Sequence, residues 1–424
     1  MSTIHIGGYR RLCGQIPIQG SKNGVLPMRA ASVLSRDTTV LTNVPAIQDV
    51  FCMMGILKFM GCRCTLAGGE LTISPADMNR TDLPEEQVRR MRSSIVLLGA
   101  MLGRFGEAST SYPGGCSIGK RPIDFHLNAL RALGAEVQAE DCRILARAAA
   151  LKGAELTFPY PSVGATENAL LAAVLAEGTT VIRGAAREPE IRELCLFLRA
   201  MGGKVEGGGT DTIVVEGQRS LHGCRFFVDG DRIVAGTYLI AAMAGRGEVE
   251  LSGVNPGQLS AVLRTLEEAG AQIISTENGV ALKMKGRPKA ISVETGPYPG
   301  FPTDLQSPLM ALMCLASGDS LIRETVFEGR YETAAELCRL GAHIRLTEGG
   351  ALVRGVPFLT GGAAAARDLR GGAALVAAGL AAKGETTISD CFHIERGYED
   401  ICRDLRKAGA DIRWLERDAK ENEN

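Results

Sequence analysis

The sequence predicts an α/β fold made of six copies of one unit about seventy residues long, and three observations carry that prediction. A helix-like run ending in Gly recurs as Leu57-Lys-Phe-Met-Gly61, Leu130-Arg-Ala-Leu-Gly134, Leu198-Arg-Ala-Met-Gly202, Leu266-Glu-Glu-Ala-Gly270, Leu337-Cys-Arg-Leu-Gly341 and Leu405-Arg-Lys-Ala-Gly409, with the glycines 68 to 73 residues apart. Gly suits a helix C-terminus because it enters the left-handed region without a Cβ penalty. Alternating stretches follow these glycines, such as 271–275 and 280–283, and read as strand pairs. An earlier helix in each unit, such as Leu170-Leu-Ala-Ala-Val-Leu-Ala-Glu-Gly178, is rich in Leu, Ala, Val and Met with few charges, so it is expected to be buried on nearly every side.

Each unit thus reads strand, helix A, strand, helix B, strand pair, with right-handed crossovers between parallel strands. A helix enclosed by sheets fits helix A better than one on a surface. Six units could close as one ring or as two rings of three, and no Pro/Gly/Ser linker marks a boundary.

Composition narrows the function. The 424 residues carry 47 Lys+Arg against 48 Asp+Glu, a net charge of −1, which argues against a general polyanion binder. Apolar stretches such as 371–382 fall short of the roughly 18 residues a membrane span needs, and the N-terminus lacks a basic region leading into an apolar one. Twelve scattered cysteines without a Cys-x-x-Cys motif read as free thiols of a cytoplasmic protein. Cys62 and Cys64, with no second pair, make a weak metal signal, and no metal or cofactor is expected.

The polar residues of the repeat are more telling. Helix A is expected to begin near Lys22, Arg92, Ser162, Arg232, Asp304 and Arg370, and helix B near Asp49, Arg121, Arg187, Asn255, Arg330 and Arg396. A cation at a helix start opposes the helix dipole, which favours Asp, Glu, Ser or Thr there. Backbone N–H groups at helix starts bind anions, so added cations make sense around a phosphate or carboxylate. Pairing with Glu332, Glu399 or Asp368 would explain individual arginines equally well. Asp304 reads as an N-cap, a role compatible with facing a cleft. Cys116, in the Gly-rich run 112–119 beside Lys120 and Arg121, has the setting of a reactive thiol on a mobile loop.

A set of motifs carries a family resemblance: Gly20-Ser-Lys22-Asn23, Met91-Arg92-Ser-Ser94, Pro113-Gly-Gly-Cys116-Ser-Ile-Gly-Lys-Arg121-Pro122-Ile123-Asp124-Phe-His126, Ser162-Val163-Gly164-Ala-Thr166, Ala186-Arg-Glu-Pro-Glu190, Phe301-Pro-Thr-Asp304, Phe327-Glu-Gly-Arg330, Asp368-Leu-Arg370 and His393-Ile-Glu-Arg396-Gly-Tyr-Glu399. From about residue 4 to 415 the chain resembles the UDP-N-acetylglucosamine enolpyruvyl transferases. That resemblance implies two domains, 21–229 and 1–20 with 230–424, each three repeats folded as an inside-out α/β barrel, with the active site in the cleft between them. It also implies transfer of enolpyruvyl from phosphoenolpyruvate to the 3′-hydroxyl of UDP-N-acetylglucosamine, with phosphate released, as the first committed step of peptidoglycan synthesis.

Residue by residue, the resemblance makes Cys116 the acid that protonates the methylene carbon and the thiol alkylated by fosfomycin. It makes Asp304 the base for the sugar hydroxyl. Lys22, Arg121 and Arg396 match the phosphate-binding set, and Arg330 and Arg370 face carboxylate and phosphate. Asn23 helps position the sugar and Arg92 lines the pocket. Residues 121–124 and 162–164, with Val326, match the nucleotide-sugar segments. Such a reaction needs a paired acid and base, and several cations placed for the phosphate and carboxylate of one small substrate. Tyr160, Phe125, Lys120 and Pro308 depart from the family pattern and bear on the diphosphate contacts. The alternatives are the sister transferase acting on shikimate 3-phosphate, which lacks the Pro-Gly-Gly-Cys loop, and a silent nucleotide-sugar-binding paralogue.

Overall fold

Short strands and long apolar helices alternate along the chain. The computed structural model describes residues 2–114, 119, 122–140 and 142–417. It divides into two compact units, one built on Gly20–Asp229 and the other on the flanks Met1–Gln19 and Gly230–Asn424, each with its own apolar core.

The repeat-ending glycines behave as the sequence predicts. Gly61, Gly134, Gly202, Gly270, Gly341 and Gly409 all have φ between +84° and +103°. Each follows an outer helix that buries a single stripe. In Ser260–Glu268, for example, only Val262, Leu263 and Leu266 are buried, the spacing of one helical face. The inner helices bury almost everything. Every residue of Arg232–Ala244, Gln306–Met313 and Leu369–Ala381 is buried, and these three helices pack against one another. Lys22–Ser32, Leu97–Phe105 and Val163–Ala173 form the corresponding group of the other unit. Truncating one buried Leu of such a helix, such as Leu239, costs about 2–5 kcal/mol.

Three sheets belong to each unit. The sheet of the fifth repeat shows the pattern: Ser292–Glu294 lies parallel to Asp319–Arg323, which pairs antiparallel with Gly350–Arg354, itself antiparallel to His343–Thr347. The strand pair expected at 271–275 and 280–283 forms as Gln272–Thr276 and Gly279–Lys283.

Two pairings distant in sequence close the units. Cys13–Pro17 runs parallel to Glu248–Ser252, while Arg225–Phe227 runs parallel to Thr39–Thr42. Each of these strands therefore serves the unit to which its distant partner belongs. The sixth repeat ends with one strand, Asp411–Glu416, and the N-terminal strand Thr3–Gly7 inserts between it and Glu385–Ser389 to supply the missing one.

Several helix starts differ from the expected positions. The inner helix expected near Arg92 begins at Leu97, after a helix Glu85–Arg90 and a 3-10 turn Arg92–Val96. Asp304 lies in a 3-10 turn, Thr303–Leu305, ahead of a helix starting at Gln306, and Arg330 lies in a similar turn, Glu328–Tyr331, ahead of Thr333–Arg339. Arg396 follows a four-residue helix, Phe392–Glu395, and the outer helix begins only at Ile401. Arg396 thus stands at a helix C-terminus, where a cation agrees with the dipole. Pro308 falls in the first turn of its helix, where its missing N–H costs little.

Candidate active site

Each unit carries its own polar constellation at the ends of its inner helices. In the unit built on 20–229, Ser21 caps Lys22–Ser32 by accepting from the Gly24 N–H at 3.1 Å. This puts Lys22 in the first turn, only 9 % exposed. Its Nζ lies 2.6 Å from Asp49 Oδ2, and Asp49 stands in the first turn of the outer helix Gln48–Phe59. The carboxylate explains how a cation tolerates this helix start. Asn23, on the same turn, is half-buried.

Arg92 has a role the sequence did not reveal. Its guanidinium donates to the carbonyls of Pro113 and Pro122, at 3.5 and 3.3 Å, on either side of the cysteine-bearing segment. Ile123 is buried, and Asp124 opens the helix Asp124–Ala132. Cys116, Lys120 and Arg121 lie outside the described residues. Ser162 caps the helix Val163–Ala173, accepting from the Ala165 N–H at 3.4 Å, which places Val163 and Gly164 in its first turn. Further along that helix, Asn168 accepts from the Gly99 N–H at 2.7 Å and meets His126 Nδ1 at 3.3 Å, tying two inner helices to an outer one. Burial, with Glu190 and Glu188 nearby, pushes the Glu167 carboxyl up to about 8.

In the other unit Asp304 is the centre. One carboxylate oxygen accepts from Arg330 and the other from Arg370 Nη2 at 3.0 Å. Arg330 and Arg370 are 6 % and 4 % exposed, so little water screens the cluster. Leu305, rather than Asp304, holds the N-cap position of Gln306–Met313. The carboxylate is instead gripped by two guanidiniums that repeats five and six bring together. Pairing of Arg330 with Glu332 or of Arg370 with Asp368 is superseded: the Asp368 carboxylate accepts from the backbone N–H groups of Arg370 and Gly371 and so caps the inner helix. Burial alone would lower the Arg370 pKa, but Asp304, Tyr398 and Asp231 outweigh it and raise it, so Arg370 keeps its charge.

Tyr398 extends this cluster. Its hydroxyl lies 2.8 Å from Thr237 Oγ1 on an inner helix, and the Arg370 guanidinium lies 5.9 Å from its ring centre. The Val326 N–H donates to Glu324 Oε1 at 2.8 Å, shaping the turn before Arg330. Gln19 holds the turn after Arg396, donating to the Gly397 carbonyl and accepting from the Glu399 N–H. In the sequence Asp49 and Tyr398 stand only as a helix start and a motif position, with no role assigned, and Gln19 lies outside the motifs. Asp49 had a legible signal, an acid in the first turn of the helix after Lys22.

The eleven cysteines among the described residues are free thiols. Among the described residues no group of three or more His, Cys, Asp or Glu side chains could hold a metal ion, and no helix is long and apolar enough to cross a membrane.

The fold is that of the 1-carboxyvinyltransferases. The family model for EPSP synthase (3-phosphoshikimate 1-carboxyvinyltransferase) matches residues 6–405. The solved enolpyruvyl transferase NikO from Streptomyces tendae superposes with a TM-score of 0.88 at 26 % identity, covering 97 % of this chain and 99 % of that one. An EPSP synthase from Acinetobacter baumannii shares the fold, with a TM-score of 0.73 at 22 % identity over 98 % and 100 % of the two chains.

Closer relatives narrow the class. The UDP-N-acetylglucosamine 1-carboxyvinyltransferase of Caulobacter sp. (strain K31) is 47 % identical over 99 % of both chains. That of Cellvibrio japonicus is 46 % identical over 98 % of this chain and 100 % of its own. The chain belongs to the UDP-N-acetylglucosamine 1-carboxyvinyltransferase family.

Proposed function

We infer that this protein transfers the enolpyruvyl group of phosphoenolpyruvate to the 3′-hydroxyl of UDP-N-acetylglucosamine, releasing phosphate. The observation that carries this reading is 47 % identity, over essentially the whole of both chains, to a relative named for that transfer. It favours the nucleotide sugar over shikimate 3-phosphate as acceptor. Presence of Lys22, Cys116 and Asp304 together favours an active enzyme over a silent paralogue.

In this reading Asp304 takes the proton from the sugar hydroxyl as its oxygen attacks the central carbon of phosphoenolpyruvate. Arg330 and Arg370 hold the Asp304 carboxylate in place for that task. Cys116 delivers a proton to the methylene carbon as the new C–O bond forms, and return of a proton from the resulting methyl group to the Cys116 thiolate, with departure of phosphate, restores the double bond. Lys22, Arg121 and Arg396 stabilise the departing phosphate, and the guanidiniums beside Asp304 also meet the substrate carboxylate. Asn23, Arg92, 121–124, 162–164 and Val326 serve the nucleotide sugar. The reading places the protein in the cytoplasm at the first committed step of peptidoglycan synthesis. Its substrates are these two small molecules, with no nucleic acid and no membrane insertion, and Cys116 is the thiol that fosfomycin alkylates.

Incubation with both substrates, followed by mass and proton NMR analysis, tests the reading. The expected product is the nucleotide sugar bearing a carboxyvinyl ether, and Asp304→Asn should slow its formation by about 10²–10⁴-fold while nucleotide-sugar binding persists. Near-normal turnover in Asp304→Asn would remove the general-base role.

A further inference from the structure

Asp304 and Arg330 both lie in turns too short to hold their own shape. Thr303–Leu305 has three residues and Glu328–Tyr331 has four, and neither N-cap residue, Pro302 or Phe327, supplies a side-chain cap. The N–H groups that open such a turn have no partner within it, so its geometry is set from outside. One carboxylate does much of this for both turns. Glu324, directly after the strand Asp319–Arg323, accepts through Oε1 from the Val326 and Phe327 N–H groups at 2.8 and 3.0 Å. Its Oε2 accepts from the Thr303 hydroxyl at 2.9 Å. A single side chain therefore joins the residue before Asp304 to the two residues that lead into the turn of Arg330.

Glu324 is itself anchored. Its N–H donates to the Tyr331 hydroxyl at 2.8 Å, and that hydroxyl donates to the Ile322 carbonyl at 3.1 Å, so the far end of the Arg330 turn is bonded back to the strand. The next residue is fixed as firmly. The Thr325 N–H donates to Thr295 Oγ1 at 3.0 Å, and the Thr325 hydroxyl donates to the Thr295 carbonyl at 2.7 Å, just past the neighbouring strand Ser292–Glu294. Hydrogen bonds to a carboxylate are roughly twice as strong as those between neutral groups, so both turns are tied tightly to the end of one sheet.

We propose that Glu324 is a positioning residue for the transfer reaction: it holds the Asp304 carboxylate in register with Arg330 and with Val326. The proposal rests on the roles inferred above for Asp304 as the base and Val326 as a nucleotide-sugar contact, and adds a residue that acts through both.

The test compares the full-length protein with Thr303→Val, Thr303→Ser and Glu324→Ala. Steady-state kinetics read KM and kcat, with kcat taken per nucleotide-sugar site titrated by calorimetry, so that a misfolded fraction lowers the site count and leaves kcat unmoved. Thr303→Val removes only the hydroxyl bond at the Asp304 end, at nearly constant volume. It should lower kcat by roughly tenfold or more, the scale of one hydrogen bond to a charged group, while KM for the nucleotide sugar stays unchanged. Thr303→Ser restores the hydroxyl and should recover most of the loss. Glu324→Ala releases both ends, so it should lower kcat, raise KM for the nucleotide sugar and speed hydrogen exchange of the 326–327 amides, a readout that needs no turnover. Wild-type kcat in Thr303→Val overturns the proposal, as does a loss that Thr303→Ser fails to reverse or unchanged exchange in Glu324→Ala. Absence of enolpyruvyl transfer by the wild type, with exchange at 326–327 still dependent on Glu324, would refute the proposed function and leave the clamp standing.

Discussion

Arg29 lies on the inner helix Lys22–Ser32, seven residues beyond Lys22, and is fully buried with none of its three guanidinium nitrogens hydrogen-bonded. Burial lowers its pKa to about 10, against the opposing influence of the Cys64 and Cys52 thiols. It remains a cation at neutral pH with no carboxylate paired to it among the described residues, unlike Lys22 on the same helix. Burying an unpaired charge is costly, so Arg29→Leu should raise the urea midpoint of unfolding. A lower midpoint would mean that the guanidinium has an anionic partner in solution. Residue-scale chemistry was only partly legible in the sequence. Lys22, Asp304, Arg330 and Arg370 could be named from motifs, but the partnership of Asp304 with both arginines joins residues 26 and 66 positions away, and no local pattern encodes it.

At the scale of elements, the helix-ending glycines were the most legible feature, because their φ requirement is a property of one residue. Gly134 offers a clean test: its φ is +94°, and a Cβ there would meet nothing within 4 Å. Gly134→Ala should therefore cost about 1–2 kcal/mol, the left-handed penalty alone, read as a drop in the midpoint of chemical unfolding. An unchanged midpoint would contradict the backbone argument. Helix starts were harder to read. The segments at Arg92, Asp304, Arg330 and Arg396 pass through 3-10 turns or a four-residue helix, which are too short to show a hydrophobic period.

At the scale of the whole molecule, the repeat count and the buried inner helices could be read from composition and spacing, whereas the long-range strand pairings could not. Cys13–Pro17 and Arg225–Phe227 each pair with a strand more than 180 residues away, and neither carries a pattern that specifies which sheet it joins. The insertion of Thr3–Gly7 into the sixth sheet is equally non-local. The net charge of −1 gives no sign of the two guanidiniums gathered on Asp304. The account's central claim is the identity of the acceptor, and it is tested most directly by phosphate release from phosphoenolpyruvate with UDP-N-acetylglucosamine or shikimate 3-phosphate as the sole acceptor. The account predicts release that depends on the nucleotide sugar and is absent with the shikimate. Release with shikimate 3-phosphate and none with the nucleotide sugar would contradict it.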